Sequence, residues 1–195
     1  MCNNAGVAGG GNTWELSADD WAWVIGVNLV GVVNGVRSFV PHMIERGRGH
    51  VINTASVAGL LAAPGMAHYN ATKHAVVGLS ETLYRELGVL DGELGVTVVC
   101  PGWVSTKIYL SDRNRPAEYN GGEVVTEETL EAIEELAGGF FEAAMSPDEV
   151  ATQVISAVDE DRFWVLTHPE MSPDITARYA HAVAGTNPPV LNPFG

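Results

Sequence analysis

Three short runs rich in β-branched residues, 50–55 (HVINTA), 95–100 (GVTVVC) and 162–167 (RFWVLT), are separated by stretches whose apolar residues recur at helical spacing. That alternation admits few folds. Two strands joined through a helix run parallel, because a crossover of that length brings the chain back to the same end of the sheet. Parallel strands are buried on both faces, so helices must cover both. The expected class is therefore α/β, with one parallel sheet between two helical layers.

Taken in order, residues 1–6 (MCNNAG) read as the end of a buried strand entering a glycine turn, followed by a loop over 7–16. Ser17 with Asp20 forms a capping-box pattern, and the apolar series from Trp21 to Met43 predicts a long helix, broken near Gly26. Ser56 follows the strand 50–55. A second helix is expected over 67–87, closing near Gly88, and Pro101-Gly102 stops the strand 95–100. Residues 103–146 read as a substrate loop with short helices, including an acidic one over 127–136. Ser146-Pro147-Asp148-Glu149 starts a helix reaching about Glu160, an amphipathic helix covers 173–184, and the tail from Asn187 is expected to be irregular. No repeat is visible, and one domain is expected over 1–195.

Composition narrows the possible partners. The chain is 46% hydrophobic and 17% charged, and 24 acidic against 10 basic residues give a formal charge of −14. Such an excess of negative charge argues against nucleic acid and anionic membranes as partners. No uninterrupted apolar run reaches the roughly 18 residues of a membrane span, and the first residues lack a signal-peptide pattern. A soluble cytoplasmic protein is expected. Cys2 and Cys100 are expected to be buried thiols, and the six histidines show no metal-ligand spacing, so no metal is expected.

The chemistry concentrates in Tyr69-Asn70-Ala71-Thr72-Lys73. Four residues apart on a helix, the phenol and the ammonium share a face, roughly 6 Å apart along the axis. The positive charge is expected to favour the phenolate and draw the tyrosine's pKa down towards working pH. In parallel α/β sheets, ligands bind beyond the carboxyl ends of the strands. Residues 3–6, Ser56 and residues 101–106 all fall at such ends.

Together these pieces resemble the short-chain dehydrogenase/reductase family: Asn3-Asn4-Ala5-Gly6, the helical Asn28, Asn53-Thr54-Ala55-Ser56, Tyr69 to Lys73, and Pro101-Gly102 with Val104 and Thr106. A lone Tyr-x-x-x-Lys is weak evidence, but the five pieces in this order are specific. The resemblance implies a Rossmann-like sheet and an NAD(P)-dependent oxidoreductase interconverting an alcohol and a carbonyl, with NAD or NADP as cofactor. It also implies a catalytic set of Asn28, Ser56, Tyr69 and Lys73. Tyr69 would exchange the proton, Ser56 hydrogen-bond the same substrate oxygen, Lys73 hold the ribose hydroxyls, and Asn28 position a water. Cofactor contacts would come from Tyr69, Lys73, Pro101, Gly102, Val104 and Thr106 near the nicotinamide, and from Asn3, Ala5 and Gly6 on the adenosine side. A small hydrophobic alcohol or carbonyl substrate and a homo-oligomer are expected.

The family's usual start, a strand leading through a Gly-rich turn into a helix, is not matched here. Val7-Ala8-Gly9-Gly10-Gly11 follows the wrong strand and opens no helix. The resemblance is thus to the C-terminal part of the domain only, with the first βαβαβ half missing, as in a truncated form whose first strand exposes an edge. Two other readings stand beside the enzyme: an inactive remnant serving as a subunit or binding module, and a hydrolase with Ser56 as nucleophile and Lys73 as base. His68 is read as a pocket or surface residue. Trp103, Ile108, Tyr109, Phe140 and Phe141 are read as pocket lining or core, and Glu127, Glu128, Glu131, Glu134 and Glu135 as a solvated helix face.

Overall fold

The computed structural model describes residues 1–120, 126–142 and 144–190; the side chains of 136–140, Phe140 among them, and the end of the expected irregular tail lie outside the described residues. Strands β1 (Cys2–Asn3), β2 (Arg48–Thr54), β3 (Glu93–Cys100) and β4 (Trp164–Leu166) form one parallel sheet in sequence order. Helices α1 (Ala18–Ile25) and α2 (Gly31–Arg46) lie between β1 and β2, α3 (Ala67–Leu87) between β2 and β3, and α4 (Glu127–Glu142) and α5 (Pro147–Asp159) between β3 and β4. Helix α6 (Ser172–Ala184) follows the sheet. The chain has the Rossmann-like α/β architecture.

Period-two alternation in β3 explains how both faces are covered. Val96, Val98 and Cys100 join Val32, Val40 and Met43 of α2 and Val76, Val77, Leu83 and Leu87 of α3. Val99, facing the other way, packs with Val165 of β4 and Ala157 of α5. Each valine removed from water in this way stabilises the fold by about 1.5–3 kcal/mol before entropy is counted. Cys100 is buried as expected, but Cys2 is exposed, because β1 has β2 on one side only among the described residues.

The sequence signals for helix ends hold in detail. Ser17 and Asp20 cap each other reciprocally, with Asp20 N–H donating to Ser17 Oγ at 3.1 Å and Ser17 N–H to Asp20 Oδ2 at 2.7 Å. Ser146 and Glu149 repeat the device at α5. The break expected near Gly26 is a π turn, Gly26–Val30, in which Gly31 N–H reaches back to Gly26 O. The helix expected over 127–136 runs further, to Glu142.

Ala18–Arg46 forms one continuous 29-residue helical run, long and apolar enough to cross a membrane by length and composition alone. Trp23, Val24, Val32, Val40 and Met43 nevertheless face the core, and Asn28 at its middle is hydrogen-bonded inside the protein. Only 28% of its most apolar window is buried, and Val30, Phe39 and, further along, Ile44 are exposed.

Candidate active site

The first turn of α3 and the carboxyl ends of β2 and β3 enclose the tyrosine and lysine. Tyr69 is 8% and Lys73 3% exposed, with Lys73 Nζ 5.5 Å from the centre of the Tyr69 ring. Lys73 Nζ donates to Thr54 O, the last residue of β2, at 2.9 Å. Beyond that strand, Ala55 N–H bonds Val99 O and Val57 N–H bonds Pro101 O, both at 2.8 Å, so the pairing of β2 and β3 continues into the turn. Ser56 is held between these bonds. Its hydroxyl donates to Pro101 O at 3.3 Å and accepts Ala58 N–H at 3.1 Å, and it faces the Tyr69 phenol, whose pKa it draws down.

Gly59 lets this turn press against α3. A Cβ there would lie 2.6 Å from Lys73 O, so any side chain would drive the Ser56 turn away from the helix carrying Tyr69.

Asn28 completes the cluster from the π turn. It is 1% exposed; its Oδ1 accepts Val7 N–H at 2.8 Å, and its Nδ2 donates to Val7 O at 2.9 Å and to Thr72 Oγ1 at 3.3 Å. Thr72 in turn donates to Tyr69 O at 2.9 Å. Gly6 faces the same point, since a Cβ on it would sit 3.5 Å from Lys73 Nζ and 3.7 Å from Asn28 Oδ1. Five separated stretches therefore meet at one place, in keeping with ligand binding beyond the strand ends.

Electrostatics depart from the expectation for Tyr69. Burial pushes its phenol above 10, a shift that the Ser56 hydroxyl only partly offsets. The same burial lowers Lys73 to about 8 and pushes the Cys100 thiol up to about 12. The ammonium does not win because Nζ is turned towards the Thr54 carbonyl, while desolvation penalises the phenolate directly. At neutral pH the phenol is intact and the lysine carries its charge.

The remaining expected contacts divide. Gly102 N–H points to His168 Nδ1 at 3.1 Å, and a Cβ on Gly102 would come within 2.7 Å of His168 Cγ, so only glycine fits. Val104 bridges to Met145, Thr106 is exposed, and Ala5 is exposed at the mouth. The side chain of Asn3 turns into the sheet, donating to Asn53 Oδ1 at 2.8 Å, and Asn53 donates onward to Ser80 Oγ at 2.9 Å. That relay stitches β1 to β2 and α3.

Several participants have no signal in sequence reasoning. The Thr54 carbonyl is backbone, and Thr72 looks like any helical threonine. His168 was detectable by the strand-end rule, because it lies two residues beyond the end of β4. His68, read as a pocket or surface residue, is 2% exposed. Arg115 ties the segment after β3 back to α1 through Asp20 Oδ1 at 2.6 Å, with its guanidinium 5.2 Å from the Trp23 ring centre. Nearby, Tyr109 stacks on Phe141 at 4.8 Å and Trp103 meets Phe141 edge-on at 5.7 Å.

The family model for short chain dehydrogenases matches residues 1–116, a span that contains Asn28, Ser56, Tyr69, Lys73 and the Pro101-Gly102 turn. This chain belongs to the short-chain dehydrogenase family. A CLA biosynthesis dehydrogenase/reductase of Lactiplantibacillus plantarum is 34% identical over 97% of this chain and 68% of its own length. A C alpha-dehydrogenase of a Sphingobium species is 30% identical over 100% of this chain and 63% of its own. Among solved structures, a short chain dehydrogenase/reductase from Burkholderia phymatum in complex with NAD is 43% identical, with a TM-score of 0.88 over 98% of this chain and 68% of that one. The chain thus spans about two thirds of the length of these short-chain dehydrogenases.

Proposed function

We propose that this chain carries the chemical centre of an NAD(P)-dependent oxidoreductase that interconverts an alcohol and a carbonyl by hydride transfer. The observation that carries the reading is the convergence of Tyr69, Ser56 and Lys73 with Asn28 at the strand ends. Tyr69 would give its proton to, or take it from, the substrate oxygen. A phenol kept intact by burial suits donation to the alkoxide that develops as a carbonyl is reduced. Ser56 would offer a second hydroxyl to the same oxygen, and the two donors would stabilise the reacting state more than the ground state.

The residues present fit the nicotinamide end of the cofactor, which when bound would exchange hydride with the substrate carbon. Among the described residues Lys73 Nζ has one hydrogen-bond acceptor, Thr54 O, so an ammonium with three N–H donors keeps others for ribose hydroxyls. Gly6 borders that position without a side chain that would fill it, since a Cβ on it would lie 3.5 Å from Lys73 Nζ. The grip on the pyrophosphate is not assigned to any residue of this sequence. Titrating the chain with NADH or NADPH should enhance and shift the reduced-nicotinamide fluorescence. A flat titration with both would sink the reading for this chain.

No observation favours a serine hydrolase. Ser56 Oγ faces Pro101 O and the Tyr69 phenol, whereas Lys73 Nζ faces Thr54 O, so the nucleophile–base contact that such chemistry needs is not made.

The aromatic group formed by Trp103, Tyr109 and Phe141 supports a hydrophobic alcohol or carbonyl as the substrate class. Faster turnover of a polyol than of a hydrophobic alcohol would contradict that choice. A homo-oligomer is also proposed. Val36, Val40, Ile44, Leu83, Leu87 and Leu90 line an apolar groove between α2 and α3, with Phe39 55% exposed on α2. Light scattering should give a multiple of the 20.7 kDa chain mass, and Phe39→Glu should reduce it; a monomer at micromolar concentration would refute this assembly.

A further inference from the structure

Helix α3 starts without a side-chain cap from Met66, although its first turn carries Tyr69. The N–H groups of a first turn have no partner within the helix. One of them, Tyr69 N–H, donates to His68 Nδ1 at 2.9 Å. Accepting at Nδ1 requires the ring proton to sit on Nε2. The ring is fixed on its other sides: its edge meets Trp21 of α1 at 6.0 Å, and a Cβ on Gly9 would lie 3.0 Å from Nε2. The charged groups that face it are Asp20 from α1 and Asp112 and Arg115 from the segment after β3, and Arg115 Nη1 is paired with both carboxylates, at 2.6 and 3.8 Å.

We infer that His68 is a positioning residue for Tyr69: its neutral imidazole caps the turn that carries the phenol, and protonation of Nδ1 releases that turn. A cationic ring has two N–H donors and no acceptor, so it cannot hold the Tyr69 N–H. Burial favours the neutral form and places the titration below 6.5. The unfolded chain then binds the proton more readily than the folded one. Order in the turn is accordingly complete above the unfolded pKa and is lost as pH falls through the folded value.

The catalytic consequence rests on the proposed role of Tyr69; the hydrogen bond itself does not, and it is measured without turnover. Nitrogen-15 spectra of the ring and hydrogen exchange at the Tyr69 amide are recorded for the chain, for His68→Asn, whose amide oxygen can replace the Nδ1 acceptor, and for His68→Leu, which has none. At pH 7.5 the wild-type ring should be neutral with its proton on Nε2. Tyr69 amide exchange should be about tenfold faster in His68→Leu and close to wild type in His68→Asn. After correction for intrinsic exchange, the wild type should approach the Leu variant as pH falls through the ring titration followed in the same nitrogen-15 spectra, and His68→Asn should not. In a turnover assay, kcat should fall in His68→Leu with little change in cofactor KM, and recover in His68→Asn.

A proton found on Nδ1 at pH 7.5, or equal exchange in the two variants, would overturn the inference. If the Leu variant fails to fold, the wild-type pH series decides alone. Absent turnover in the wild type counts against the oxidoreductase reading, and the exchange data still decide the role of His68.

Discussion

Replacing Tyr69 by Phe should lower the rate of alcohol–carbonyl interconversion by about 10³-fold, the scale on which a positioned general acid or base contributes. The substitution removes one oxygen and leaves the packing in place. The ring stays 8% exposed on α3, and Lys73 keeps its bond to Thr54 O, so reduced-nicotinamide binding should change little. Thermal stability should fall only modestly, by about 1 kcal/mol, because the substitution gives up the phenol's interaction with the Ser56 hydroxyl and no packing. The decisive measurement is kcat set against cofactor affinity. Turnover retained within a few-fold would move the proton transfer to another group, and loss of cofactor binding would make Tyr69 a binding residue first.

A second large effect is expected from Asn28→Leu, and it falls on stability. Leucine is close to asparagine in size and suits the apolar face of a helix, but it strands both polar groups of Val7, whose N–H and carbonyl are satisfied by the Asn28 side chain at 2.8 and 2.9 Å. Val7 is 7% exposed, so water does not replace these partners readily. At about 1–3 kcal/mol for each buried unpaired group, the loss should come to about 3–5 kcal/mol. The thermal midpoint should fall by roughly 10 °C. Asn28→Asp, which keeps an acceptor for Val7 N–H and loses the donor to Val7 O, should fall between. A Leu variant within about 0.5 kcal/mol of wild type in urea unfolding would show that the loop after β1 does not depend on this residue.

Legibility in the sequence followed the range of each interaction. Capping boxes at Ser17 and Ser146, the extent of α3 and the parallel order of the strands were readable because local spacing determines them. The meeting of Asn28, Ser56, Tyr69 and Lys73 was readable only through family resemblance, since the contacts that join them run through backbone groups of Val7, Thr54 and Pro101. The proton affinity of Tyr69 was misjudged for a physical reason. Helical spacing gives the distance to a neighbouring charge, but not the depth of burial that outweighs it. Cys2 was misplaced because strand-like composition was taken as a sign of burial, although the same strand was expected to expose an edge.

The π turn at Gly26–Val30 sets the phase between the two halves of the long helix. Each residue of an α-helix advances the side chains by about 100°, and the wider turn absorbs one residue more than an α-helical turn would hold. Upstream of it Trp23 and Val24 point to Val7; downstream Val40 and Met43 point to β2. Deleting one residue from the turn would therefore act like a slipped gear tooth. The two apolar stripes could no longer engage their partners together, and Asn28 would be rotated away from Val7. The length of this segment is thus a tighter constraint on the protein than the identity of most side chains along it.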